Sequence, residues 1–154
     1  MQPHPDLAGR MPPRHADLGL FRLAPLAPEA AEEDFAVVTR SAPVLRGFFG
    51  NEWPEGLTLA ENRIDLAWHE REFTTCRSLS WILRDHAGSY LGCAYVFPRP
   101  GERLRGQVYL WLADSPERLA RLAAFKPILA AWLHDWLPPG GHYDWHINDR
   151  SLPG

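Results

Sequence analysis

Asp65, His69 and Glu72 stand at i, i+4 and i+7 of a run that reads as one helix, so their side chains share one arc. A histidine beside carboxylates is a candidate general base, and the carboxylates should keep its imidazole more basic. The same spacing also describes a solvated acidic face with an incidental histidine. No metal is expected here, because the sequence offers no third strong ligand segment. His142 and His146 share a strand face. A regular strand separates them by ~13 Å, too far to chelate one ion. No Gly-x-Ser-x-Gly and no Cys–His–Asp pattern suggests a covalent nucleophile. Cys93 sits in a strand candidate and reads as a small apolar group. A second candidate site is the aromatic loop Phe48-Phe-Gly-Asn-Glu-Trp-Pro54, whose Phe49 and Trp53 could form a binding surface. Trp81, Trp111, Trp132 and Trp136 read as core or groove lining.

The helix carrying the first group opens at Thr58, with Glu61 completing a capping box, and runs to about Thr75. Leu57, Ile64 and Trp68 form one apolar stripe, and Leu59, Leu66 and Phe73 form another on roughly the opposite side. That pattern predicts a sandwiched helix with a polar stripe, including Glu61, between its two faces. Upstream, a strand is expected over 18–26 and a helix from Pro28 to about Arg40, its early acids facing the helix dipole. A shorter helix should open at Ser41-Ala-Pro43 and end near Gly50. Downstream the period becomes alternating. Strands are expected at Leu79–Arg84, Tyr90–Phe97 and Gln107–Leu112. A helix capped by Ser115 then runs to about Trp136, kinked or broken at Pro127, and a strand covers His142–Asn148.

The chain has 154 residues, 45% hydrophobic and 23% charged, which suits one compact domain and excludes collagen, coiled coil and long disorder. Residues 1–17 are proline-rich with few large apolar groups and are expected to be a flexible arm, leaving 18–154 as the domain. No run approaches ~18 apolar residues, so no membrane partner is expected. No apolar run follows the first charges, so no secretory signal is expected. A net charge of −3 gives no bulk reason for a nucleic-acid partner. Two cysteines, Cys76 and Cys93, do not make a disulfide framework, so a reduced, cytoplasmic protein is expected.

The order β, three α, three β, α, β resembles the GNAT (GCN5-related N-acetyltransferase) superfamily over about residues 19–151. Tyr90-Leu-Gly-Cys-Ala-Tyr-Val-Phe97, then Val108-Tyr-Leu-Trp-Leu112 and a helix, carry the resemblance. It implies an α/β (α+β) fold with a mixed, mostly antiparallel sheet and helices on both faces. It implies acetyl-CoA wedged beside a splayed strand, with the acyl carbonyl held near Leu110, Trp111 and Leu112. The family's phosphate loop, Gln/Arg-x-x-Gly-x-Gly/Ala, matches Arg118-Leu-Ala-Arg121-Leu122-Ala123, where Arg121 stands in place of the central glycine. Arg121 could supply a charge-assisted phosphate contact, or Arg118 and Arg121 could be the exposed face of a helix with Leu119, Leu122 and Ala123 inside. Asn148-Asp-Arg-Ser151 matches the family's Asn-x-x-Ser, and the last helix and closing hairpin of the family are expected to be missing.

Two functions remain open. One is an acyl-CoA-dependent N-acyltransferase for a small-molecule or protein amine, with His69, Glu72 or Asp65 as base. The other is a non-catalytic GNAT-fold module that binds a small ligand or a protein. An exposed edge strand near His142–Asn148 leads to the expectation of a homodimer that covers it.

Overall fold

The computed structural model describes residues 2–151. It contains one six-stranded sheet in the order β1(Ala16–Asp17), β2(Arg22–Pro25), β3(Leu79–Arg84), β4(Tyr90–Pro98), β5(Arg105–Leu112), β6(His142–Ile147). Neighbours are antiparallel up to β5, and the last pair, β5 and β6, is parallel. A parallel partner cannot be reached by a tight turn. The chain makes the return through α4(Arg118–Trp136). The other helices, α1(Ala31–Arg40), α2(Ala42–Leu45) and α3(Leu59–Thr74), lie between β2 and β3 in the chain. This is the α/β architecture expected from the order of elements, with core on both faces of the sheet.

On the α4 face, Leu122, Phe125, Leu129 and Leu133 pack with Trp81, Leu83, Val108 and Leu110. On the other face, Val37, Val38, Leu45 and Leu66 pack with Ile82, Tyr90, Cys93, Tyr95 and Trp111. Strands covered on both faces need apolar residues at successive positions, which is why β3 and β4 read as nearly continuous apolar runs. Thr58 caps α3 as its sequence predicts. Its Oγ1 accepts from the Glu61 amide at 3.1 Å and its hydroxyl donates to Glu61 Oε1 at 3.0 Å.

Several expectations need correction. The first strand is only Arg22–Pro25, hairpin-paired with Ala16–Asp17. The helix after Ser41 ends at Leu45, and α4 opens at Arg118 behind Glu117, with no side-chain cap from Ser115. Pro127 stays inside α4, where its residue is exposed. The largest correction concerns α3. Its side chains are not sandwiched: Ile64 is 72% exposed and Trp68 42%, whereas Asn62, His69 and Glu72 are buried. One side of the helix packs on the sheet through Leu66 and Phe73, and the polar residues flanking that line are drawn in with it.

The N-terminal segment, expected as a flexible arm, is strapped to the domain over its described length. Leu7 is fully buried among Phe21, Trp81 and their neighbours. The Asp6 carboxylate accepts the Leu104 amide at 3.0 and 2.9 Å and the Tyr143 hydroxyl at 2.6 Å. The Trp81 indole donates to the Pro13 carbonyl at 2.9 Å, and Arg14 donates to Thr74 while lying over Phe73. Replacing a buried leucine with alanine removes packing and leaves a cavity. Leu7→Ala should therefore lower unfolding free energy by about 2–4 kcal/mol in a denaturant titration. A loose arm would give a change under ~0.5 kcal/mol.

Candidate active site

The parallel register of β5 and β6 ends at Leu110↔Ile147. Beyond it the two strands part. The gap is spanned by a side chain: Asn148 Oδ1 accepts the Leu112 amide at 2.9 Å, and its Nδ2 donates to the Leu112 carbonyl at 2.9 Å. A carboxamide thus takes the place of a further backbone pair. On the other side of β5, Gly92 lets β4 approach so closely that a Cβ there would lie 2.0 Å from the Trp111 carbonyl oxygen. The end of β5 is therefore held from both sides.

Arg118 opens α4 beside this gap and is 5% exposed. Its guanidinium donates to the Asn148 carbonyl and, at 2.7 Å, to the Arg150 carbonyl. Both sequence readings of Arg118, phosphate ligand and solvated helix face, place it outward. The structure turns it inward, onto the end of β6. Leu122 is buried, but Leu119 and Ala123 are exposed, so only part of the expected inner face is inner. Arg121 is half-buried. Glu117 is the N-cap residue of this helix and makes no side-chain capping hydrogen bond.

A layer of polar groups lies under α1 and α3. The Tyr90 hydroxyl donates to Asp34, and Asn62 Nδ2 donates to the other Asp34 oxygen at 2.9 Å. Tyr90 also meets the Cys93 sulfur at 2.8 Å, and the Trp111 indole donates to the Tyr95 hydroxyl at 3.0 Å. Burial pushes the Asp34 carboxyl above its ordinary range and the Tyr90, Cys93 and Tyr95 groups well above theirs. These groups are held neutral or poorly ionised. Cys93 is buried, as its strand position suggests, and its thiol is enclosed by this layer.

The structure brings Asp65 and His69 together and sets Glu72 apart. His69 Nε2 is 3.7 Å from Asp65 Oδ2. The imidazole packs against Trp68, Tyr95 and Phe97 at centroid distances of 5.0, 5.4 and 6.5 Å. Its Nδ1 has no hydrogen-bond partner among the described residues. Burial lowers its pKa to about 4, so the expectation that carboxylates keep it basic is reversed. Asp65 attracts the imidazolium, yet its own carboxyl is pushed up by burial and by Asp34, so desolvation dominates the pair. Glu72 lies near Arg71 and Arg77, at 3.7 and 3.6 Å. It faces a 450 Å³ groove between α3 and the N-terminal strap, with Trp68 and Phe97.

Phe49 and Trp53 fold inward. Phe49 packs on Tyr95 and Tyr109 at 5.4 and 5.0 Å, and Trp53 lies 6.4 Å from Trp111. The loop therefore covers the sheet face over β4 and β5. Aromatic contacts join His69 to Tyr95, whose hydroxyl is bonded to Trp111, the neighbour of Leu110 and Leu112. Tyr95 and Asp34 were not singled out from the sequence. Tyr95 lies within an apolar strand run, and Asp34 has the ordinary look of an early helical acid.

No protein-family model and no curated protein matches the chain. Solved structures do. The microcin C7 self-immunity acetyltransferase MccE, solved with acetyl-CoA and AMP, superposes with a TM-score of 0.64 at 11% identity, over 82% of this chain and 69% of that one. A GCN5-related N-acetyltransferase from Brucella melitensis gives 0.55 at 19% identity, over 89% of this chain and 60% of that one. An acetyltransferase from Thermus thermophilus gives 0.52 at 18%, over 79% and 74%. At these identities the shared property is the fold, and it is the GNAT fold.

The buried imidazole makes stability depend on pH with a defined sign. His69 is neutral when folded, with a pKa of about 4 against an ordinary value of 6.5. Its contribution is whole above pH 6.5 and is lost as pH falls toward 4. The total is on the order of 3 kcal/mol. Denaturant titrations at pH 7 and pH 4 should show that loss largely removed in His69→Leu. An equal acid loss in both proteins would contradict the buried neutral imidazole.

Proposed function

We propose that this GNAT-fold chain is an acyl-CoA-dependent N-acyltransferase acting on an amine. The observation that carries the reading is the parting of β5 from β6 beyond Leu110↔Ile147, where the amide and carbonyl of Leu112 are met by the Asn148 carboxamide in place of a strand partner. An amide group is what this backbone edge already binds. The amides of an acyl-CoA arm have the same donor and acceptor pair, so the residues present fit that part of it.

Bound there, acyl-CoA would supply an activated thioester carbonyl. Leu110, Trp111 and Leu112 would line the acyl end, Leu112 through the backbone groups that the Asn148 carboxamide now occupies. Arg121, Leu122, Ala123 and Asn148 would form the rest of the cleft, with Arg121 supplying charge toward phosphate. Arg118 would act through the end of β6, which its guanidinium holds. Phe49 and Trp53 would shape the acceptor side. The amine nitrogen bonds the acyl carbon, the carbon–sulfur bond breaks, and the amine proton must be taken up while the thiolate is protonated. Asp65, with its raised carboxyl pKa, is the better proton acceptor of the pair. His69, at about 4, stays neutral and orients it. Glu72, engaged near two arginines, is assigned to the acceptor groove and not to the proton. Orientation of the amine would supply most of the rate.

One observation favours a second reading, a binding module without catalysis. Arg118, the basic residue at the α4 start, is spent on the carbonyls of Asn148 and Arg150. Calorimetry with acetyl-CoA separates the two. Measurable binding is expected, and Arg121→Ala should weaken it about tenfold, the size of one charge-assisted contact. No heat and no thermal shift at millimolar acetyl-CoA would leave the binding module as the function. Unchanged affinity in Arg121→Ala would remove this residue from the phosphate role.

A further inference from the structure

A buried carboxylate needs hydrogen-bond donors, and Glu72 is short of them. The residue is only 6% exposed. Arg71 and Arg77 stand 3.7 and 3.6 Å from the same oxygen, Oε1, which is ion-pairing and not hydrogen-bonding distance. Among the described residues these two ion pairs are the contacts of its carboxylate. A carboxylate taken out of water without hydrogen bonds is costly, so its open oxygen is a place for a donor from outside the chain.

The groove in front of Glu72 has the other parts of a binding site. Its volume of 450 Å³ lies within the range of small-molecule sites. Arg77 and the buried Ser78 line it beside Glu72, so one region of the groove carries a carboxylate, a guanidinium and a hydroxyl. A guanidinium has five N–H donors, enough to serve Glu72, its other contacts and a ligand oxygen together. The rest of the lining is apolar. Trp68, 42% exposed, and Phe97 supply two rings, and prolines of the strap and of the β4 end supply further surface. Both rings are fixed by neighbours. Trp68 meets His69 edge-on at 5.0 Å, and Phe97 stacks on Tyr95 at 5.6 Å. Rings held this way lose little freedom when a third ring joins them.

Charge decides what fits. A simple cation would answer Glu72 but meet two arginines. A simple anion would answer the arginines but leave the carboxylate unmet and repel it. A zwitterion answers both. We propose that this groove binds an aromatic α-amino acid, with its ammonium on Glu72, its carboxylate on Arg77 and Ser78, and its ring against Trp68 and Phe97. That the bound amino acid is the acyl acceptor rests on the acyltransferase reading above; its capture in the groove does not.

The test is calorimetry of the intact chain with phenylalanine in the absence of acetyl-CoA. Saturable binding at millimolar concentration is expected. Phenethylamine lacks the carboxylate, 3-phenylpropionate lacks the ammonium and glycine lacks the ring, and each should bind at least ~10-fold more weakly. Trp68→Ala, a change at a half-exposed position, should keep the fold by circular dichroism and weaken phenylalanine about tenfold. Glu72→Gln should weaken phenylalanine at least ~10-fold and 3-phenylpropionate not at all, a pattern that an unfolded variant does not give. A groove filled by water alone would give no heat with phenylalanine, and that result would overturn the proposal. So would equal affinity for phenethylamine or 3-phenylpropionate, or indifference to Trp68→Ala or Glu72→Gln. Failure of acetyl-CoA to bind while phenylalanine binds would sink the acyltransferase reading and leave this site standing.

Discussion

Parallel pairing of β5 and β6 is the constraint on which the rest of the domain hangs. An antiparallel sheet can be wound with short turns, but this last pair requires a return along the full length of the strands. That return is α4, and its apolar line of Leu122, Phe125, Leu129 and Leu133 covers one face of the sheet. The same geometry leaves both strands ending side by side at one end, with nothing in the ladder to hold them beyond Ile147. Asn148 and Arg118 answer that need, one with a carboxamide between the strands and the other with a guanidinium on the carbonyls of the turn. The candidate cleft is therefore a product of topology before it is a product of any catalytic residue.

The opposite face shows a different compromise. Helices α1 and α3 bury Asp34, Asn62, Tyr90 and Tyr95 together, and most of these polar atoms are satisfied within the layer. A network of this kind fixes one arrangement of helices on the sheet, since a shifted helix would orphan several groups at once. His69 sits at its border with one ring nitrogen unmet. That border lies between a satisfied interior and the half-exposed Asp65.

Much of the fold was readable because its signals are local. Leu79–Arg84 matches its expected bounds, flanked by the change from helical to alternating period. Thr58 and Glu61 mark a helix start by chemistry confined to four residues. The end of α4 at Trp136 follows from Pro138 and the glycines after it. What was missed depends on partners far away in the chain. Leu7 is one leucine among prolines and gives no period, yet its site is completed by Phe21 and Trp81. The arc of Asp65, His69 and Glu72 looks the same whether it faces water or a sheet, and only packing decided that His69 and Glu72 go in while Ile64 and Trp68 stay out. Arg118 was legible as a charge at the right place and not as a side chain that folds back onto β6. Its targets are backbone carbonyls, which leave no trace in residue identity.

The N-terminal strap has a consequence for how the chain is completed. Residues 4–14 are made before the partners that hold them: Arg99, Leu104, Trp136 and Tyr143 come 95 to 137 residues after the side chains or amides they bind. Contacts of such long span close late because the intervening loop must first be ordered. During synthesis this segment waits in solvent with its proline-rich backbone unprotected and Leu7 uncovered. Its docking seals the seam between the β4–β5 hairpin, the end of α4 and β6. Resistance of the Leu7 region to a protease is then a report on a late step of folding, from a segment made well before the partners that hold it.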